Sequence, residues 1–147
     1  MIEIRPLGPA DKQQWLPLWQ GYLDFYKTEL APEVTENSWA RLLSPDEGLH
    51  GIAATDKDGC LVGIAHYLLH PGTWDVGHVC YLEDLFVAEN TRELGIGRAL
   101  IDYLATQGRA KGWERVYWQT ASDNHTAQAL YEKIATRKDW VRYEIDL

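Results

Sequence analysis

The chain has 147 residues, 46% of them hydrophobic and 24% charged, the size of one domain whose core needs no metal or disulfide staple. Fourteen Lys and Arg against 22 Asp and Glu leave a net charge of −8, which argues against nucleic acid as a partner because phosphate affinity rests on clustered cations. No apolar run approaches the roughly 20 residues of a membrane span, and Met1-Ile2-Glu3-Ile4-Arg5-Pro6 lacks the basic start and apolar stretch of a secretory leader, so a cytoplasmic protein with no membrane partner is expected.

Alternation in Ile2-Glu3-Ile4-Arg5 predicts a short strand that ends at Pro6 and Pro9. From Ala10 to Thr28, the residues Trp15, Trp19, Tyr22 and Tyr26 recur at helical spacing on one face, with Pro17 a kink or restart. Thr35 to Leu43 predicts a shorter helix that stops before Ser44-Pro45. Apolar runs at Gly51 to Thr55, Leu61 to Leu69 and Val79 to Val87 are separated by Asp56-Lys57-Asp58-Gly59 and Pro71-Gly72, and predict three strands. Leu100, Ile101, Leu104 and Ala105 form a helical stripe between Gly97 and Gly112. A strand at Val116 to Ala121, a helix at Asn124 to Ile134 and a strand at Trp140 to Ile145 complete the order β-α-α-β-β-β-α-β-α-β. That order describes an α/β domain over residues 1–147, one mixed sheet with helices on its faces.

The segment from Tyr81 to Leu100 carries the most chemistry. A strand runs into Arg92-x-x-Gly95-x-Gly97, and that loop opens a helix. Amides at a helix start are unpaired and sit at the positive end of the macrodipole, so glycines there let an anion approach closely. Arg92 and Arg98 add charge suited to a phosphate. The P-loop pattern Gly-x-x-x-x-Gly-Lys-Ser/Thr is absent. The dinucleotide pattern Gly-x-Gly-x-x-Gly fails at Leu100.

Arg92-x-x-Gly95-x-Gly97 after a strand resembles the signature of the GNAT family of N-acetyltransferases, which is Arg or Gln, two residues, Gly, one residue, then Gly or Ala. A second family element is similar in Asn124-His-Thr-Ala127-Gln-Ala-Leu130-Tyr131-Glu-Lys133. The words Tyr81-Leu-Glu-Asp-Leu-Phe-Val and Trp19-Gln-Gly-Tyr22-Leu-Asp-Phe25-Tyr26 look like the polyamine and histone acetyltransferase branch. The chain departs from the family pattern after Lys133, where Ile-Ala-Thr-Arg-Lys-Asp-Trp140 replaces the usual Gly-Phe.

The resemblance implies a mostly antiparallel sheet with a V-shaped split between the fourth and fifth strands, holding acetyl-CoA and no metal. Backbone groups of Leu85, Phe86 and Val87, freed by a bulge in the strand that holds them, would face the pantetheine and the thioester oxygen, an oxyanion-type contact. The diphosphate would lie on the turn made by Arg92, Glu93, Leu94 and Gly95 and on the helix start at Ile96, Gly97, Arg98 and Ala99. Asn124, Ala127, Tyr131 and Lys133 would form the other lip, with Tyr131 the acid that protonates the departing thiolate. The alternative for Tyr131 is a packing residue on a helix face.

An alkylammonium of reference pKa about 10.4 must lose a proton before it attacks. Glu83 and Asp84 are the candidate carboxylates, and as adjacent strand residues they are expected to face opposite sides. Similarity to the polyamine branch favours Glu83 as water-linked base and Asp84 as acceptor-binding group, with the choice of base between the two left open. The alternative for either is a carboxylate satisfied by a backbone group or a cation. Trp19, Tyr22 and Tyr26 read first as core, and alternatively as an aromatic wall for an amine, joined by Asp24, Glu29 or Glu33. Trp74 and His78 lie in a loop between strands, placed to close over the acceptor.

Other chemistries rank lower. His66-x-x-x-His70 on a strand puts the two imidazoles roughly 13 Å apart, too far for one ion. Cys60 and Cys80 lack Cys-x-x-Cys spacing, and Gly-x-Ser-x-Gly is absent. The expectation is an acetyl-CoA-dependent N-acetyltransferase acting on a primary amine, favouring a small cationic, polyamine or lysine-like acceptor, which a net negative surface tolerates. The rival class is a non-catalytic CoA-binding regulatory module. The resemblance also implies a homodimer.

Overall fold

The structure is a computed structural model that describes the backbone of all 147 residues and the side chains of all but Pro45, Arg92 and Glu93. Strand β1 (Glu3–Pro6) leads into helices α1 (Lys12–Phe25) and α2 (Pro32–Leu42). Strands β2 (Leu49–Thr55), β3 (Leu61–His70) and β4 (Val79–Val87) follow, then α3 (Ile96–Lys111), β5 (Arg115–Tyr117) and α4 (His125–Ile134). The strands lie in the order β1-β2-β3-β4-β5, antiparallel except for the parallel pair β4 and β5. This is the expected mixed, mostly antiparallel sheet flanked by helices.

Local chemistry accounts for the element ends. The Asp56 carboxylate accepts from the amides of Asp58 and Cys60 at 2.9 and 3.0 Å, closing the hairpin between β2 and β3. Helix α2 begins at Pro32, ahead of the expected Thr35, because proline is preorganised for a first helical turn, where its missing N–H costs nothing. Pro17 is carried within α1 without ending it. Strand β3 shows the layering. Ile64 packs with Trp15, Leu18 and Trp39 under α1 and α2, while Ala65 packs with Ile96, Leu100 and Leu104 under α3. Trp15, Ile64, Ile96, Leu100 and Leu104 are at most 1% exposed. Each such burial contributes about 1.5–3 kcal/mol, so the sheet is gripped from both faces.

Strand β5 pairs with β4 only at Val79, Cys80 and Tyr81, opposite Arg115, Val116 and Tyr117. From Leu82 onward β5 no longer follows β4, and the sheet splits there into a V. The split also explains why β5 is shorter than the expected Val116 to Ala121 strand, since past Tyr117 no ladder holds it. The strand expected at Trp140 to Ile145 does not form. Residues 135–147 carry no helix or strand, and Trp140, Tyr143 and Ile145 are 80%, 90% and 87% exposed. Alternation supplies this tail with an apolar face, but β4 and β5 diverge where a partner strand would be needed. Among the described residues, no helix is long and apolar enough to cross a membrane.

Candidate active site

Strand β4 is irregular where the V opens. His66 pairs with Asp84 and Tyr67 pairs with Leu82, so Glu83 is an extra residue in β4, a β-bulge. The extra residue reverses the strand's parity. Leu82 belongs to the core under α3, and the bulge turns both Glu83 and Asp84 toward α1. The expectation that the two carboxylates face opposite sides is therefore corrected. The bulge also sits upstream of Leu85, Phe86 and Val87, which keep regular pairing with Ala65, Ile64 and Gly63 of β3. The expected bulge in the strand that holds Leu85 to Val87 is thus present, upstream of them at Glu83, and the departure of β5 opens this part of β4.

The aromatic stripe of α1 divides between two environments. Trp15 and Trp19 are 0% and 8% exposed and belong to the core, whereas Tyr22 is half-buried and Tyr26 is 43% exposed. The rings form a ladder: Trp15 stacks on Trp19 at 5.7 Å, Trp19 on Tyr22 at 5.3 Å, and Tyr22 leans on Tyr26 at 4.9 Å. The ladder leads outward from the core beside Asp84. The Tyr22 hydroxyl lies within electrostatic reach of the Asp84 carboxylate, and burial, followed by that carboxylate, raises its pKa. Asp84 also meets His66, whose Nδ1 lies 2.9 Å from Asp84 Oδ2. Glu83 is exposed by area, yet partial desolvation and then Asp84 push its carboxyl above the ordinary value, with Arg142 and His66 opposing.

On the opposite lip, the α4 face carrying Tyr131 packs edge-on against Trp118 at 5.3 Å. Burial, and after it the Tyr26 phenol, raises the pKa of the Tyr131 phenol. Asn124 caps α4, its oxygen accepting from the Ala127 amide at 3.3 Å while its amide donates to Thr120 Oγ1 at 3.2 Å. Lys133 is exposed in the last turn of α4.

Below the split, a 3-10 turn at Glu89–Leu94 ends at Gly95, whose φ of +73° is the left-handed conformation that favours glycine. Helix α3 starts at the next residue. The amides of Ile96, Gly97 and Arg98 occupy its first turn, where an α-helix supplies no acceptor of its own. The Ile96 side chain is fully buried, so it offers only its main chain. Leu94 is exposed, Ala99 is half-buried, and Arg98 lies 3.7 Å from Asp102 on the helix surface. The side chains of Arg92 and Glu93 lie outside the described residues. Leu85 and Val87 pack on the α3 core and Phe86 on the α1 core, so β4 meets the start of α3 without a gap.

A model of the acetyltransferase (GNAT) family matches residues 13–135. The chain belongs to that family. A D-amino-acid N-acetyltransferase of Saccharomyces cerevisiae is 40% identical over 144 residues, 97% of this chain and 89% of the yeast protein. A thialysine N-epsilon-acetyltransferase of Caenorhabditis elegans is 28% identical over 99% of this chain and 92% of its own length. The crystal structure of a ribosomal-protein-alanine N-acetyltransferase from Brucella melitensis biovar Abortus 2308 has a TM-score of 0.84 and 26% identity, covering 100% of both chains. This GNAT protein is accordingly an N-acetyltransferase.

Two features of the GNAT site were missed by sequence reasoning. His66, set aside there as half of a metal pair, is 2% exposed and joins Trp15 to Asp84, while His70 bonds Tyr117 on the surface. Arg142, on the tail, is ion-paired with Glu144 and lies near enough to Tyr81 and Glu83 to act on their charge. Both depend on pairings remote in sequence, and neither has a local motif. Trp74 is 86% exposed, while the His78 carbonyl accepts from the Glu114 amide at 2.8 Å.

Proposed function

We propose that the protein transfers acetyl from acetyl-CoA to the primary amine of a small cationic acceptor, lysine-like or polyamine-like, by direct attack while both substrates are bound. The observation that carries this reading is the bulge at Glu83, which gives the α1 side of the split two adjacent carboxylates beside Tyr22. The relatives named for D-amino acids and thialysine support an amine acceptor.

The chain's own groups fit the cofactor. The left-handed Gly95, the first-turn amides of α3 and the missing Cβ of Gly97 make a cradle suited to a diphosphate. Around it would stand Arg92, Glu93, Leu94, Arg98 and Ala99, with Leu85 to Val87 bordering the pantetheine and Asn124, Ala127 and Lys133 on the far lip. When bound, acetyl-CoA supplies an activated acyl carbon and a thiolate leaving group.

Asp84 holds a positive charge of the acceptor, with Trp19, Tyr22 and Tyr26 as its wall. Glu83 takes a proton from the acceptor ammonium, directly or through water, and its raised pKa brings it nearer the working pH. The freed amine forms the new C–N bond as the C–S bond breaks, the nitrogen passing its second proton to solvent, and the Leu85 N–H would face the thioester oxygen. Tyr131 gives its proton to the departing sulfur, and solvent restores both groups. Release of CoA thiol, measured over a panel of diamines, amino acids and monoamines, tests the proposal. Turnover with cationic amines is expected, and binding of acetyl-CoA without turnover on any amine would favour the regulatory module instead.

We further propose a homodimer in solution. The exposed apolar tail at residues 135–147, without a strand partner on its own chain, supports it. Light scattering should read twice the chain mass for the full protein and a monomer for a chain ending at Ala135.

A further inference from the structure

His66 is a buried titratable group that the proposed chemistry does not use, and its partners fix the state of its ring. Trp15 Nε1 lies 3.0 Å from His66 Nε2. An indole nitrogen can only donate, so Nε2 must present its lone pair, and the ring carries its hydrogen on Nδ1. That Nδ1–H points at Asp84 Oδ2, 2.9 Å away. Trp15 is 0% exposed, His66 is 2% exposed and the Asp84 side chain is 16% exposed. Three groups thus form a chain of hydrogen bonds from the dry core to the split, each donating outward. Aligned donors of this kind reinforce one another. Were the ring in the other tautomer, its Nδ1 lone pair would face the carboxylate and repel it.

We propose that His66 is a positioning residue, its tautomer locked by Trp15, that holds the Asp84 carboxylate rotated to receive the acceptor's positive charge. The proposal rests on the amine-acetyltransferase reading above and adds to it the residues that prepare the anchor. Asp84 Oδ2 is engaged by the imidazole, whose ring is itself held by the Trp15 indole. The group is therefore fixed before the acceptor arrives, which lowers the ordering cost of binding. Asp84 without its donor would remain near the site but free to turn.

The test compares His66→Phe, which keeps bulk and loses the donor, with His66→Asn, whose amide N–H can stand where Nδ1–H stood. His66→Phe should raise the acceptor KM about tenfold, the worth of one charge-assisted hydrogen bond, while the acetyl-CoA KM moves less than about twofold. His66→Asn should recover most of the loss. An unchanged acceptor KM in His66→Phe, or equal damage in both variants, would overturn the proposal. Nitrogen NMR of the wild-type ring needs no variant: it should show Nδ1–H, and a ring with its hydrogen on Nε2 would also overturn it. A wild-type protein without turnover on any amine would defeat the functional reading itself, whereas an active wild type matched by His66→Phe defeats only the role of His66.

Discussion

Glu83 and Asp84 are consecutive in a strand and lie on the same side of it. A regular strand would place one in each core, so the bulge that separates the His66–Asp84 pair from the Tyr67–Leu82 pair is what makes a two-carboxylate site possible. The site follows from one extra residue in β4.

The raised carboxyl of Glu83 sets the direction of two pH effects. As base it works only when ionised, so the rate with a saturating amine should fall on the acid side through a pKa above the ordinary carboxylate value. Glu83→Gln should remove that limb and lower turnover by at least about tenfold. Stability moves the other way. A carboxyl whose pKa is higher folded than unfolded favours folding while protonated, and that contribution is lost as pH rises through the folded pKa. At neutral pH, Glu83→Gln should therefore melt at or slightly above the wild-type temperature, which thermal denaturation will read.

Tyr131 is held by Trp118 and by the desolvation that raises its phenol. A raised phenol keeps its proton across the neutral range, as an acid for a leaving thiolate must. Tyr131→Phe keeps the ring packing and loses only the hydroxyl. It should lower kcat at least about tenfold with little change in acetyl-CoA affinity, and unchanged turnover would remove the acid role.

The two glycines of the α3 start predict different outcomes. Gly95 has a φ of +73°, so Gly95→Ala strains the turn at a cost of about 1 kcal/mol whatever the space around it. A Cβ at Gly97 would meet Val87 Cγ2 and Leu85 Cδ2 at 3.9 and 4.0 Å, ordinary contacts. Gly97→Ala should leave the melting temperature near wild type, and any loss of CoA affinity in it reports crowding at the ligand rather than damage to the fold.

How much of this was legible in the sequence varied with the range of the forces involved. The α1 stripe, the β2–β3 turn at Asp56 and the Gly95–Gly97 helix start are local patterns, and each led to the right element. The bulge at Glu83 has no local signature, because it is a mismatch of register between two strands; simple alternation therefore assigned the carboxylates to opposite faces. The tail around Tyr143 was read as a strand from its alternation, which reports a face to bury but not a neighbour to pair with. Strand spacing excluded His66 from a metal pair but gave it no partner, because Trp15 and Asp84 reach its ring only through the packing of α1 and the pairing of β3 with β4.

The central claim is that the start of α3 and the edge of β4 hold coenzyme A for transfer to an amine. Isothermal calorimetry of the purified protein with CoA, and separately with pantetheine, tests it most directly. A saturating one-to-one heat with CoA and a much weaker one with pantetheine, which lacks the diphosphate, is the predicted result. No heat from CoA would contradict the account.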